Sequence, residues 1–169
     1  MDFLRLLTAA TLLLLLGDFV ATFGYHVPEH VFGKFHSIVH HSPKRSFVRY
    51  AIQNRQPVAL IDGFLSAFPY LMFIPGLWQI SPWGVALGLI LAELHVIWRH
   101  RFFAAGDRPA WLTKLCRTCH ITTPERHWIH HQHANQAFGD IFAFYGRPAA
   151  WWLKQLRCCK QRYRRRSVH

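Results

Sequence analysis

Histidine is the residue type with the clearest chemical signal in this sequence. The chain has 13 histidines among 169 residues, and three short clusters contain most of them. The clusters are His26 and His30, then His36, His40 and His41, and finally His127, His130 and His131. On a helix, side chains three or four residues apart lie on one face, where two imidazoles can reach one metal ion. The clusters therefore predict metal binding.

The number of clustered histidines indicates more than one metal ion. A tetrahedral zinc site takes four ligands, whereas the clusters and His95, near the end of an apolar stretch, offer nine candidates. Imidazole binds iron, zinc, copper and nickel, so these residues alone leave the metal open. We expect two ions that share the imidazoles. Of the other histidines, we expect His100, His120 and His133 to support the ligands or to face solvent, and His169 in the tail has no assigned role.

Three acidic residues lie where they can orient the ligands. Asp18 comes eight residues before His26 on one predicted helix, Asp62 lies in the second apolar stretch, and Glu93 lies near the end of the third. Ionisable groups in apolar segments are costly and usually functional. We expect these carboxylates to accept the free N–H of ligating imidazoles, which fixes ring orientation and tautomer. The alternative is that Asp18 and Asp62 only mark helix ends.

Apolar stretches predict the helices that position these residues. The stretches cover residues 6–25, 57–75 and about 79–98. Each has about 20 residues, the length that crosses a hydrocarbon core of about 30 Å. A signal peptide is the alternative for the first stretch, but no A-x-A-like cleavage site follows it. Pro28 is expected to end or kink the first helix. The next two stretches are predicted to form a hairpin. In the third stretch, Gly84 and Gly88 offer a small-residue face for packing against another helix.

Charge predicts how these helices lie in a membrane. The chain is 51% hydrophobic and has a formal net charge of +12, a composition that excludes a largely disordered protein. Residues 26–56 and 99–169 contain 19 of the 20 Lys and Arg residues, and the hairpin tip at 76–78 contains none. The positive-inside rule makes the basic side cytoplasmic. The predicted fold class is an all-α integral membrane protein with about three spans and a cytoplasmic histidine cluster.

The chain is predicted to divide into a membrane domain, residues 1–150, and a basic amphipathic tail, residues 151–169. In the tail, tryptophans and leucines alternate with Lys and Arg, a pattern typical of a helix that lies on an anionic leaflet. Nucleic acid is not an expected partner, because the spans hold the tail beside acidic lipid. The membrane is the expected partner of this segment.

A C-x-x-C-H pattern at Cys116, Cys119 and His120 matches the attachment motif of c-type haem. That chemistry belongs to the oxidising side of a membrane, and placing Cys116 there would export a strongly basic segment. Two reduced cytoplasmic thiols are the favoured interpretation.

Taken together, these residues resemble the fatty acid hydroxylase/sterol desaturase superfamily. The resemblance rests on Asp18, the pair His26-x3-His30, the segment FHSIVHHS, a membrane hairpin, and the segment TPERHWIHH followed by Asn135, Gly139 and Asp140. It covers about residues 15–147, most of the chain. Residues 1–150 are therefore similar to a membrane fatty acid hydroxylase domain.

The resemblance implies a non-haem di-iron membrane oxidoreductase that uses dioxygen and external electrons to hydroxylate or desaturate a lipid, such as a fatty acyl chain or a sterol. The implied ligands of its two iron ions are His26, His30, His36, His40, His41, His127, His130 and His131, with His95 as a further histidine. The implied electron donor is a protein of unknown identity. Two alternatives stay open: a carotenoid hydroxylase of the same superfamily, and a non-catalytic metal-binding membrane protein.

Overall fold

The computed structural model describes residues 2–33, 35–36, 57–100 and 109–167, and the side chains at 57–59 are not described. The helices are α1 (Phe3–Val20), a π-helical turn (Ala21–His26), α2 (Val27–Phe32), α3 (Pro57–Leu71), α4 (Ile74–Trp78), α5 (Pro82–Arg99), α6 (Ala110–Thr118), α7 (Pro124–Gln132), a 3-10 turn (Ala143–Tyr145) and α8 (Gly146–Arg166). Within these ranges the only β pairing is an isolated bridge between Ile121 and Phe142. The all-helical prediction is confirmed.

The first helix is continuous from Phe3 to Phe32, over 30 residues. The sequence predicted that Pro28 would end or kink this helix. The helix does not end there, because the π-helical turn comes directly before α2. At that turn the N–H of Val27 donates to the carbonyl of Thr22, a five-residue step that widens the helix. Pro28 then lies in the first turn of α2, where a missing N–H is tolerated.

α5 packs along α1 through its two glycines. A Cβ atom on Gly84 would collide with the carbonyl oxygen of Leu6, and one on Gly88 would lie 2.9 Å from a methyl carbon of Leu13. The predicted small-residue face is therefore confirmed as a helix contact. Since Gly84 meets the start of α1 and Gly88 its middle, the two helices run in the same direction.

α3 packs against the first helix and runs in the opposite direction. Its last turn contacts the last turn of α1, where Tyr70 lies against Gly17. Its first turns contact the π-helical turn, where Tyr25 donates a 2.5 Å hydrogen bond to Asp62. The start of α3 and the end of α5 thus lie at one end of this three-helix unit. We call it the histidine end, because His26 lies there.

Among the described helices, only Phe3–Phe32 is long and apolar enough to cross a membrane. The predicted second stretch divides into α3, of 15 residues, and the short α4. α5 has 18 residues. The structure thus delimits one candidate span, and the count of three stays a prediction.

The C-terminal helix α8 begins before the predicted domain boundary at residue 151. Its first half packs onto the first helix, where Ala149 and Leu153 form a buried cluster with Val27, Val31 and Phe138. Its second half is exposed from residue 157 onward. The division into two domains stays a prediction.

Candidate metal centre

Seven of the described histidines converge in two groups at the histidine end. The first group contains His26, His30, His36 and His130, and the second contains His100, His127 and His131. Within each group, one ring nitrogen from every member lies within 4.8 Å of the others. Both groups thus have the spacing that ligands of one metal ion require.

The first group joins three parts of the chain. His26 closes the π-helical turn and His30 lies on α2, with 5.2 Å between their ring centroids. The ring of His36 lies 4.4 Å from that of His26. His130 arrives from α7, and its Nε2 lies 2.9 Å from the Nε2 of His26. Three of the four side chains are buried.

The π-helical turn keeps Asp18, His26 and His30 on one stripe. In a regular α-helix a four-residue step overshoots one turn by about 40°, so a stripe of three such steps drifts by about 120°. The wider turn at Ala21–His26 reduces this drift. Thr22, between them, donates a 3.2 Å hydrogen bond to Asp18. The wide turn is therefore the local feature that brings the carboxylate and the imidazoles to the same face.

The second group joins α7 to the end of α5. His127 and His131 are four residues apart on α7, and their Nε2 atoms are 3.1 Å apart. The Nε2 of His100, directly after α5, lies 3.1 Å from that of His127. α7 thus contributes His130 to the first group and His127 and His131 to the second. The two groups are adjacent, since the ring centroids of His130 and His127 are only 6.3 Å apart. Thr123 caps α7, and Pro124 follows it in the first turn.

The ring nitrogens that face away from each group bind acceptors. His130 donates its Nδ1–H to the carbonyl of Gln136 at 2.7 Å, and His100 donates to the carbonyl of Val96 at 2.7 Å. This assignment of the tautomer follows from the acceptors, which cannot donate. The Nε2 of each ring therefore presents a lone pair to its group.

An Nε2 lone pair about 3 Å from a second ring nitrogen is satisfied either by an N–H on that nitrogen or by a cation between the two. Ligands held at right angles by an ion at about 2.1 Å are about 3.0 Å apart. The measured separations, 2.9 Å in the first group and 3.1 Å in the second, agree with that value. The donor set thus fits two metal ions bound by neutral imidazole.

Comparison with known proteins identifies the family to which this geometry belongs. The sequence matches the family model described as fatty acid hydroxylase over residues 10–148. The chain belongs to the fatty acid hydroxylase family. The resemblance inferred from the histidine motifs is therefore confirmed. Neither the search of curated proteins nor the search of solved structures gave a match.

In this fatty acid hydroxylase family member, Asp140 links the first group to α5. Its Oδ1 lies 3.2 Å from the Nδ1 of His26 and 2.9 Å from a guanidinium nitrogen of Arg99. Burial raises the pKa of Asp140, but Arg99 and His26 outweigh it and hold that pKa well below its usual range. Asp140 is therefore a carboxylate, which orients His26 as an acceptor of its Nδ1–H.

Asp18 acts on the group through the backbone, not through an imidazole. Its buried carboxylate accepts the N–H groups of Asp140 and Ile141 at 3.0 Å each and of Phe142 at 2.6 Å. The prediction that Asp18 accepts an N–H from a histidine is wrong, because backbone N–H groups of the segment after α7 donate to its carboxylate oxygens. Asp18 thus holds in place the loop that presents Asp140.

The other two predicted carboxylates differ from each other. Asp62 lies 3.7 Å from the Nδ1 of His36 and accepts the hydroxyl of Tyr25, which agrees with an orienting role. Glu93 is exposed on α5. Neither role was distinguishable from spacing alone.

Electrostatics keep the centre of the second group neutral. Burial lowers the pKa of His127, and the nearby Arg99, His100 and His131 lower it further. A neutral imidazole is the form that binds metal. His127 is therefore ready to act as a ligand at neutral pH.

The structure places the remaining predicted ligands differently. His95 lies in neither group: its Nε2 donates to the carbonyl of Thr122 at 2.9 Å. His40 and His41 lie outside the described residues. His100 belongs to the second group, although the sequence analysis gave it no ligand role. The sequence signal for a ligand role was its position at the end of the third apolar stretch, on the predicted side of the third cluster.

Proposed function

We propose that this chain is a membrane-bound, non-haem di-iron oxidoreductase that hydroxylates or desaturates a lipid with dioxygen and external electrons. The observation that supports this proposal most directly is that α7 supplies ring nitrogens to two adjacent groups. The centre therefore suits a pair of metal ions. Membership in the fatty acid hydroxylase family supports the reaction class, since the family is membrane-associated and its members are generally oxidoreductases.

The residues that would hold the two ions follow from the two groups. His26, His30, His36 and His130 would bind one ion, and His100, His127 and His131 the other. His40 and His41 are retained as proposed further ligands on the strength of the family resemblance. For His95 the resemblance implies a ligand role, whereas its bond to the carbonyl of Thr122 favours a structural one. Bound iron would supply the activation of dioxygen needed to attack an unactivated C–H bond.

The chain supplies orientation and a dry surrounding. Asp140 and the carbonyl of Gln136 fix the rings of His26 and His130, and Phe138, which is fully buried, lies 4.9 Å from the ring of His130. A preorganised, water-excluding shell keeps a reactive centre from being quenched by solvent. In hydroxylation, one C–H bond and dioxygen take up two electrons and two protons to give C–OH and water; in desaturation, two C–H bonds give C=C and two waters.

We further propose three spans with the histidine end on the cytoplasmic side. Large apolar side chains are exposed along α1, α3 and α5: Phe3, Leu4, Leu60, Phe64, Phe68, Trp83, Ile90 and Leu94. Exposed apolar side chains in this number on three neighbouring helices are what a lipid-facing surface needs. A lipid chain would then reach the histidine end from within the bilayer.

The test uses the full chain, expressed with iron and purified in mild detergent. About two irons per chain and oxygen uptake on adding a small reductant would support the enzyme. Lipid extracts from expressing cells would show a gain of one oxygen or a loss of two hydrogens, which also separates fatty acyl, sterol and carotenoid products. One zinc or none, with no oxygen uptake, would favour the non-catalytic metal-binding protein instead.

A further inference from the structure

α8 runs alongside the first helix in the same direction. Three hydrogen bonds from side chains to carbonyl oxygens fix the register: Tyr145 to Leu15 at 3.2 Å, Trp152 to Phe23 at 3.1 Å, and Lys160 to Val31. The acceptors follow one another at intervals of eight residues, which is about 12 Å of helix. The donors advance at nearly the same interval. α8 is therefore parallel to the candidate membrane span.

This register places the end of α8 beyond the end of the first helix. Residues 161–166 continue past the level of Val31 by about 9 Å. Every residue from 157 to 167 is exposed. If Phe3–Phe32 crosses the membrane as proposed, the end of α8 points away from the bilayer on the histidine side.

The projecting segment is strongly cationic. We name it the basic helix end, which consists of Arg157, Lys160, Arg162, Arg164, Arg165 and Arg166. No acidic residue follows Asp140 in the sequence. The packed apolar face of α8 ends at Leu156, and Tyr163 is the only large apolar side chain beyond it among the described residues, so the basic helix end has little of the apolar side that an in-plane membrane helix needs. Its geometry favours an acidic protein in solution over an anionic leaflet, the surface that the sequence pattern had predicted.

The base of this segment lies close to the first histidine group. Leu153 packs with Phe138, whose ring centroid lies 4.9 Å from that of His130 and 5.5 Å from that of His26. Arg157 donates a 2.7 Å hydrogen bond to Asn135, next to the residue whose carbonyl anchors His130. The first residue of the basic helix end, Arg157, is thus connected to His130 through Asn135 and Gln136.

We propose that the basic helix end is the docking surface for a small acidic electron-carrier protein. The inference rests on the proposed function, whose reaction consumes two electrons from outside the chain. Each encounter oxidises a reduced one-electron carrier by one electron, which passes to the metal centre, so two encounters complete one turnover. Opposite charge would align the carrier and raise its association rate.

The test measures binding of an acidic [2Fe–2S] ferredoxin, the probe, to the full chain in phosphatidylcholine nanodiscs. The docking variant carries Arg162→Gln, Arg164→Gln and Arg165→Gln, all on the exposed end of α8. The matched control carries Lys114→Gln, Arg117→Gln and Arg147→Gln, which remove the same charge from other exposed positions. At low salt the docking variant should bind about tenfold more weakly or worse, and the control within about twofold of the parent chain. Equal binding by all three proteins would overturn the proposal.

A second measurement decides between a protein partner and the membrane. A fluorophore on Cys159, with Cys119 and Cys158 changed to Ser, reports contact with nitroxide-headgroup lipid in nanodiscs that contain phosphatidylglycerol. We expect weak quenching, unchanged in the docking variant. Strong quenching that the docking variant loses would assign the basic helix end to the leaflet and overturn the proposal.

Oxygen uptake separates the two proposals from each other. The docking variant should match the parent chain with a small-molecule reductant but be slower with ferredoxin. If neither electron source supports oxygen uptake, the proposed function fails, while the ferredoxin binding data still decide whether the docking surface exists. If both sources support equal uptake in the variant and the parent chain, the function stands and the docking surface fails.

Discussion

The two histidine groups are built from the same helix but held in different ways. In the first group His26, His36 and His130 are buried, and their outer nitrogens meet Asp140, Asp62 and a loop carbonyl. In the second group His127 is buried but His100 is exposed, and the outer nitrogen of His100 binds a carbonyl of its own helix. The first group therefore depends on contacts between distant parts of the chain, and the described anchor of the second is local.

This difference predicts different sensitivities. Long-range anchors preorganise a site strongly, but a change in any anchoring segment is felt at the metal. Asp18, which holds the loop of Asp140, is 122 residues away from it in the chain. A local anchor such as Val96 fails only when its own helix end changes. Changes at four positions, described in order of decreasing expected effect, test this contrast.

The largest effect is expected from His130→Ala. His130 is fully buried and is the member of the first group that α7 contributes. Its loss should reduce bound iron from about two to about one per chain and bring oxygen uptake to background, because a metal pair is needed for the reaction. Elemental analysis and oxygen-electrode traces measure both.

The matched control is His133→Ala, an exposed histidine just beyond α7 that belongs to neither group. It should keep its iron and its activity. Two irons per chain in the His130 variant would remove that residue from the site.

The next effect is expected from His100→Ala, which removes one of three described members of the second group. Iron should again fall to about one per chain, with most activity lost. Because His100 is exposed, the free energy of unfolding should change by no more than about 0.5 kcal/mol. Retention of both irons would return His100 to the supporting role that the sequence analysis gave it.

The contrast between the groups also explains what the sequence could predict. The pairs His26 and His30, and His127 and His131, follow from four-residue spacing, and Gly84 with Gly88 predicts a helix contact. Spacing cannot show that His130 belongs to a different group from His127 and His131, because that depends on where α7 lies relative to two other helices.

Contacts between distant parts of the chain could not be predicted from the sequence pattern. The carboxylate of Asp18 meets backbone N–H groups, which every residue but proline has, so no side-chain motif reports them. Likewise, Pro28 predicted an end or a kink of the helix, whereas no residue pattern predicted the π-helical turn that comes before it.

A smaller effect, confined to the first group, is expected from Asp140→Asn. The amide removes the charge that pairs with Arg99 and weakens the acceptor for His26. Loss of such an outer partner reduces metal affinity by about 10–100-fold. Iron competition with a chelator should show one weakened site and one unchanged site.

Asp2→Asn is the control for Asp140→Asn, since Asp2 caps α1 at the far end of the chain from the site and asparagine also caps helices. Equal weakening of both sites in the Asp140 variant would show that the two groups are coupled, contrary to the contrast drawn from their anchors.

The smallest effect is expected from changes at His95, which separates the two accounts of that residue. Its Nε2–H binds the carbonyl of Thr122, and the hydroxyl of Thr122 binds the carbonyl of Gly139, next to Asp140. As a structural contact it is worth about 1 kcal/mol, so His95→Ala should lower the free energy of unfolding by that amount. His95→Gln, which keeps an N–H donor, should lower it less.

Both His95 variants should keep two irons, and any weakening should fall on the first group, because Thr122 leads to its loop and not to His100. If His95 is instead a metal ligand, as the family resemblance implies, iron content falls equally in the Ala and Gln variants. Chelator competition combined with thermal unfolding distinguishes the two results, since only a structural role lets the glutamine restore stability while the iron stays bound in both.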